Sequence, residues 1–257
     1  MDGLFAGTAW HYARYRPGYP REFLDQIIAT FRLDRSRRVL DLGCGTGQLT
    51  VPLAKTAREA VGVDPEPDML IEAAEYADRA GVTNAIWIEG SSANLPTGLG
   101  RFDVVTMGRS FHWMDREQVL AGLSGMVEDD GGLVIANDSC LVRPVTDWQR
   151  RLEEIQNRFV PTNESQRPKI SDNYLSHDAV LRRSAFPKVD RRVYEFRRRW
   201  TIEQAIGYLY STSLPLRRLL DDRESFEQEA TRALSSFSPD GQLFEPVSLE
   251  VFVATRR

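Results

Sequence analysis

Residues 39–50 read VLDLGCGTGQLT, a short apolar run closed by Asp41 and followed by glycines at 43, 45 and 47. Such a run is a buried strand, and glycines placed directly after it let the main chain come within contact distance of a ligand. Beyond them Leu49, Leu53 and Ala57 recur at helical spacing, with Pro52 near enough to the helix start to be tolerated. Strand, glycine turn and helix in that order aim backbone N–H groups and a positive helix end at whatever lies above the strand tip. The arrangement suits a dinucleotide, a phosphate or an amino-acid carboxylate. It also restricts the chain to folds in which a strand feeds a crossover helix.

The rest of the first half repeats that unit. EAVGVD (59–64), AIWIEG (85–90), FDVVTM (102–107) and GLVIAN (132–137) read as further strands. Phe23, Ile27 and Phe31 mark a helix over 19–31 with Pro20 suited to its first turn. Met69, Ala73, Ala77 and Ala80 mark another that stops at Gly81, and Asp115 caps a third over REQVLAGLSGMV before a DDGG turn. The alternation predicts an α/β fold, a doubly wound, mostly parallel Rossmann-like sheet with right-handed crossovers. It breaks after residue 138. VTDWQRRLEEIQNRF and SHDAVLRRS read as uneven helices within 139–183, TIEQ (201–204) as a capping box, and 222–236 as a last helix. RVYEFRRRW (192–200) and PVSLEVFVAT (246–255) read as closing strands, leaving the insertions to form a helical lid over the carboxyl ends of the sheet.

Asp64 ends the second strand, 19 residues past Gly45. A carboxylate at that tip can accept both hydroxyls of a ribose, so loop and acid together call for a nucleoside. VLDLGCGTG, VGVDPEPDML, GSSANLP and FDVVTMGRSFHW follow one another in an order that resembles the class I S-adenosylmethionine-dependent methyltransferases. The likeness is to their small-molecule, type 11-like branch and covers roughly residues 10 to 137. Asp41 separates the loop from that of most nicotinamide dehydrogenases. The resemblance implies S-adenosyl-L-methionine as cofactor. Asp41, Gly43 and Gly45 would line its methionyl end, Asp64 its ribose, and Met69 or Pro65 its adenine. Ser92 and Ala93 match the third motif, with Ser92 where the family often carries an aspartate, and Gly108 would lie under the sulfonium.

HYARYRPGYP (11–20) is similar to the YxxYRPxYP segment that folds over the cofactor in related methyltransferases, which implies Tyr12 and Arg16 as clamps on its carboxylate. The run of elements along the chain is most economically one methyltransferase domain over 1–257. Its cofactor-binding core spans about 32–138, its closing strands lie in 184–200 and 246–255, and its substrate lid comes from 1–20, 139–183 and 201–245. RSFHWMD (109–115) leaves the fourth strand where the methyl group would stand, making His112 the candidate base. Trp10 and Trp113 are candidates for the cavity wall. The lid carries Asp147, Glu153, Glu154 and Glu164 amid arginines; an amine-bearing sugar would suit the acids and a carboxylated acceptor the arginines. The expected reaction is methylation of a hydroxyl or amino group of a small metabolite, with an antibiotic sugar or other secondary metabolite the leading guess.

Composition limits the rivals. A net charge of −4 argues against coating nucleic acid by bulk attraction, although the arginines of 182–199 leave an RNA methyltransferase as an alternative. A nucleoside-binding sensor without turnover is the other. Two cysteines outside any CxxC spacing and three scattered histidines argue against a metal site. No apolar run approaches the ~20 residues of a membrane span. Without a basic and apolar leader, the expectation is a cytoplasmic protein with no membrane or nucleic-acid partner. Nothing in the sequence indicates an oligomeric state.

Overall fold

The computed structural model describes residues 5, 7–93, 95, 98–138, 144–160, 175–212, 222–238 and 240–256. Among these, the strands are β1 (Arg38–Leu42), β2 (Glu59–Asp64), β3 (Ala85–Glu89), β4 (Phe102–Gly108), β5 (Val127–Asp138), β6 (Lys188–Thr201) and β7 (Gln242–Thr255). They form one sheet in the order β3-β2-β1-β4-β5-β7-β6. The first five are parallel and β7 runs antiparallel between β5 and β6. The connections diverge from β1 and β4, the switch point outside which ligands of open α/β sheets bind.

Helices α1 (Ala9–Tyr15), α2 (Arg21–Thr30), α3 (Thr50–Ala54) and α4 (Pro67–Arg79) precede β4 or flank its neighbours. After β4 come α5 (Arg116–Leu123), α6 (Asp147–Phe159), α7 (His177–Arg182), α8 (Ile202–Leu209) and α9 (Arg223–Ser235). One sheet face packs on α2, α3 and α4 through Phe23, Ile27, Val51, Leu53 and Ala77. The other packs on α5 and α7 through Val119, Leu120, Leu123, Val180 and Leu181. Strands covered on both faces lose the alternation of a half-exposed sheet, which is why Val39, Leu40 and Leu42 are all buried. The Asp115 carboxylate accepts the Gln118 N–H at 3.0 Å and caps α5 as its sequence indicates.

Three boundaries differ from the sequence reading. The DDGG stretch is not a turn before β5 but part of it, in a bulge where pairing jumps from Phe102–Val127 to Val104–Gly132. Arg37 and Arg101 hold the bulge's Asp130 and Asp129, so its acids are paired rather than left to drive a reversal. The helix after the glycine loop ends at Ala54, and Ala57 follows in a turn. Residues 9–15, ahead of the helix expected first, are themselves helical.

The closing strands are also longer than their apolar runs. Beyond Tyr194 and Leu249, β6 and β7 leave the sheet and pair only with each other up to Thr201 and Gln242. In that ribbon Leu243, Glu245, Val247 and Leu249 are buried in strict alternation, one face covered and one open. The covered face carries a separate core of Trp148, Leu152, Trp200, Tyr208, Phe226 and Leu243, with Tyr15 packed against it. Helices α6, α8 and α9 thus sit as a cap on a ribbon projecting past the carboxyl ends of β1–β5. Capping boxes Thr146–Gln149 and Thr201–Gln204 start α6 and α8, the second as the sequence predicts. The cap residues 139–143 and 161–174, including the predicted acid Glu164, lie outside the described residues.

Candidate active site

The glycine loop leaves β1 with positive φ at Gly43 (72°), Gly45 (52°) and Gly47 (80°). A Cβ on Gly43 would stand 2.6 Å from the Ser110 Cβ, so the loop and the segment after β4 meet there backbone to side chain. Ser110 locks the contact by donating its hydroxyl to the Leu42 carbonyl at 2.8 Å. The loop's own donors are turned inward. The N–H groups of Gly43 and Cys44 bond to the Val63 carbonyl, that of Gly47 to Cys44, and that of Gly45 to Asp64. The sequence reading aims this row of N–H groups at a ligand; in the structure these four hold the loop together and fasten it to the end of β2.

Asp41 is also turned inward. Its carboxylate is 2% exposed and accepts the Thr50 N–H (3.1 Å), the Thr50 hydroxyl (2.6 Å) and the Thr106 hydroxyl (2.8 Å). It therefore supplies the negative charge at the start of α3 and ties that start to β4. Burial raises its pKa to about 6 despite those hydrogen bonds.

Asp64 stands at the tip of β2 as expected, 8% exposed. One oxygen accepts the Gly45 N–H at 2.9 Å and the other the Glu66 N–H at 3.0 Å, so each keeps a further lone pair for an incoming hydroxyl. Burial raises its pKa. The Gly90 N–H donates to the Asp64 carbonyl at 3.1 Å, which sets the turn of half-buried Ser92 and exposed Ala93 beside the acid. On α4 Met69 is buried, whereas Pro65 is exposed.

The front segment closes over this loop. The Tyr12 ring lies 3.5 Å from the position a Gly45 Cβ would take. Phe5 stands edge-on between Tyr12 (6.3 Å between centroids) and Trp113 (6.2 Å), so three rings span from α1 to the segment after β4. Trp10 is not among them; it is 47% exposed beneath the Arg14 guanidinium. Arg16 turns toward the cap, donating to the Tyr208 hydroxyl (3.1 Å) and to the Ser211 hydroxyl (3.1 Å) and carbonyl (3.2 Å). Its guanidinium lies over both the Tyr12 ring and the Tyr208 ring, so it braces the front segment against the cap. At the end of β4, the side of Gly108 where a Cβ would stand is filled by the Tyr19 hydroxyl and Leu49, so this glycine makes room for the front segment.

His112 occupies a 3-10 turn, Phe111–Trp113, with its ring on Trp113 at 4.8 Å and open to solvent. The surrounding protein mass, and behind it the Arg16 charge, lower its pKa, so the ring is neutral and can accept a proton at neutral pH. Next to it Arg109 holds φ +56°, an unusual backbone for an arginine, stabilised by a bidentate grip on Asp138 (2.8 and 2.7 Å) and a bond to the Pro17 carbonyl (2.9 Å). Arg198 of the ribbon joins the same carboxylate at 2.8 Å. Sequence reading passes over Arg109, Asp138 and Arg198, which lie 29 and 60 residues apart and carry no motif. It also leaves His177 among the scattered histidines, although its ring stacks on Phe111 at 5.1 Å.

Two of the lid acids, among the described residues, are paired away from this wall. Asp147 and Glu154 pair with Arg150 and Arg151 on the exposed face of α6. Arginines of the basic run are likewise engaged, Arg182 with Asp178, Arg191 with Glu250 and Arg192 with Asp190. Among the described residues no helix is long and apolar enough to cross a membrane.

Comparison with known proteins agrees with this geometry. Residues 39–131, the stretch from β1 into β5, match a methyltransferase domain family. The chain is 30% identical over 158 residues to an uncharacterized methyltransferase of Mycobacterium tuberculosis, a match over 62% of this chain and only 60% of that protein's length. It is also 30% identical over 161 residues to a demethylmenaquinone methyltransferase of Lactiplantibacillus plantarum, covering 58% of this chain and 68% of that one. In fold it resembles a methyltransferase from Thiobacillus denitrificans solved with S-adenosyl-L-homocysteine (TM-score 0.56, 19% identity, 100% of this chain and 99% of that one). A second solved likeness is a putative type II methyltransferase from Anaeromyxobacter dehalogenans (TM-score 0.57, 17% identity, 94% and 98%). With the glycine loop, the acid at the tip of β2 and the sheet order all in place, the chain belongs to the class I S-adenosylmethionine-dependent methyltransferases.

Proposed function

We propose that this chain transfers the methyl group of S-adenosylmethionine to a hydroxyl or amino group of a small metabolite. It does so as one domain over residues 1–257, in which the sheet holds the cofactor and the cap selects the acceptor. Asp64 carries the reading. It is a buried carboxylate at the tip of β2, the strand next to β1, pinned by two backbone N–H groups with a lone pair left on each oxygen.

When bound, the cofactor supplies an electrophilic methyl group on a sulfonium. Asp64 would hold the ribose hydroxyls, Met69 with the turn at Ser92 and Ala93 the adenine, and the main chain of the Gly43–Gly45 loop the methionyl end. Cβ atoms at these glycines would press on Ser110 and meet Tyr12, so the loop keeps its close fit only with glycine. Alignment of nucleophile and methyl can supply about 7–11 kcal/mol of the barrier. A positioned base adds about 10²- to 10⁴-fold. Holding the acceptor still therefore outranks proton removal, and the rings of Phe5, Tyr12 and Trp113 are read as doing the holding. His112, neutral and at the same wall, takes the proton that an oxygen or nitrogen nucleophile must lose.

An aminated antibiotic sugar draws no support from Asp147 and Glu154, whose charges are paired on the outer face of α6. The aromatic wall favours a flat acceptor such as a phenol or quinol, and relatives named for quinone methylation point the same way. The RNA alternative loses ground because arginines of 182–199 are paired with carboxylates. Calorimetry with S-adenosylhomocysteine, followed by labelled methyl transfer into phenols, quinols and amino sugars, tests the proposal. Saturable heat and a methylated product of one class are expected. Binding of NADH with none of S-adenosylhomocysteine would overturn it, and a tight complex with no product from any acceptor would favour the sensor.

A further inference from the structure

His177 opens α7 behind the Ser176 cap, half-buried, with its ring against Phe111 and Phe252. Its Nδ1 lies 3.3 Å from the Arg116 guanidinium, which also donates to the Leu175 carbonyl at 2.7 Å. Its Nε2 lies 3.4 Å from Nδ2 of the Asn137 side-chain amide near the end of β5. A guanidinium only donates, so Nδ1 must be the bare, accepting nitrogen and the ring proton of the neutral imidazole sits on Nε2. Nε2–H then needs an acceptor. An Nδ2 facing Nε2–H sets donor against donor; the two ends of a carboxamide are interchangeable in shape, so the chemistry assigns the flipped amide, whose oxygen accepts from Nε2–H and whose NH2 turns away from His177. Burial, the Arg116 charge and His112 together push the His177 pKa to about 4, which keeps this one tautomer across the neutral range. Asn137 follows Ala136, which pairs with Gly108 and accepts the Arg109 N–H at 2.8 Å, so the amide stands beside the strand end that leads into His112.

We propose that Arg116, His177 and Asn137 form a positioning relay for the acceptor: Arg116 fixes the tautomer of His177, His177 fixes the Asn137 amide, and Asn137 offers its N–H donors to an oxygen of the substrate beside His112. The relay rests on the methyltransferase reading. It narrows the substrate to one with a hydroxyl or carbonyl oxygen next to the methylated atom, since a bare hydrocarbon face could not use those donors. His177 and Arg116 act only through Asn137, and their neutral and fixed states keep the amide from turning over.

Two measurements test it. Histidine ¹⁵N spectra of the protein with S-adenosylhomocysteine should show His177 as the Nε2–H tautomer from pH 8 down to pH 5.5, and Arg116→Met should release it to titrate. An Nδ1–H signal, or a wild-type midpoint near the ordinary value of about 6.5, would overturn the relay. With the acceptor found above, Asn137→Ala should raise KM about tenfold with a smaller change in kcat and unchanged affinity for S-adenosylhomocysteine. Asn137→Asp keeps an oxygen for Nε2–H but has no N–H to give, so it should lose as much as the alanine variant. If Asn137→Asp instead kept the wild-type KM, the residue would be structural and the proposal wrong. Failure of the wild type to bind S-adenosylhomocysteine at all would remove the methyltransferase reading instead, and the tautomer spectra would decide the relay alone.

Discussion

The Asp64 carboxylate receives the Gly45 N–H at 2.9 Å, so the acid at the tip of β2 fixes the glycine loop at the end of β1. One residue thus shapes the loop and, in the proposed reading, holds the ribose. Asp64→Ala strips the ribose contact and leaves a loop N–H without its acceptor. At about 1.5–3 kcal/mol for a hydrogen bond to a charged group, the dissociation constant for S-adenosylhomocysteine should rise roughly 10- to 100-fold. Calorimetry measures it, and unchanged binding would remove Asp64 from the site.

Gly43→Ala should cost about 2–4 kcal/mol, combining a Cβ at φ +72° with a 2.6 Å approach to Ser110. Adding Ser110→Gly removes the collision but not the backbone strain, so about half of the loss should return. Thermal unfolding of the two variants gives the comparison; no recovery would mean that the clash is relieved elsewhere.

Two buried acids pull stability in opposite directions with pH. The Asp41 pKa is raised to about 6 from 3.8, so its ionised form costs stability above pH 6, and the cost fades as pH falls toward 4. For Asp138, burial works to raise the pKa, but the Arg109 and Arg198 charges overcome it and hold the carboxyl well below the usual range. Its contribution is present above about pH 4 and is lost as pH falls below that. These two groups together place a stability maximum near pH 4 in denaturant titrations, with stability falling from there to pH 6. Asp41→Asn should flatten the upper side, and Asp138→Asn should cost about 3–5 kcal/mol at neutral pH while flattening the lower one.

His112→Ala should lower turnover by about 10²-fold and leave cofactor affinity unchanged. Because the pKa of His112 is lowered, the acid limb of the wild-type pH–rate profile should have its midpoint below about 6.5 and vanish in the variant. A profile that keeps the same limb would retire His112 as the base.

Arg16→Ala should loosen the cap, since it removes the bonds from the front segment to Tyr208 and Ser211. Amide hydrogen exchange in α8 should quicken about tenfold, with β1 and β4 unaffected. Equal protection in α8 would show that the ribbon alone holds it.

The sheet was legible because its signals are local. Val39 to Leu42 and Ala60 to Asp64 announce strands by themselves, and the 19-residue separation of Gly45 and Asp64 survives as a direct hydrogen bond. The duties of Asp41 and Gly108 were not, because they depend on Thr106 and Tyr19, which approach only after the strands are side by side. A glycine loop also reads as a row of donors until Val63 and Asp64 are seen to occupy them. His177 and Asn137 are 40 residues apart and conform to no spacing rule, so only packing against Phe111 brings them into view.

The ribbon of β6 and β7 gives the roof a foundation of its own. Trp200, Phe226 and Leu243 hold the three cap helices to each other without borrowing side chains from β1 to β4. A change of acceptor can therefore be accommodated by rebuilding upstairs rooms while the nucleoside floor below keeps its plan. Grafting a foreign roof of α6, α8 and α9 onto Arg198 and Trp200 is the engineering route this architecture leaves open.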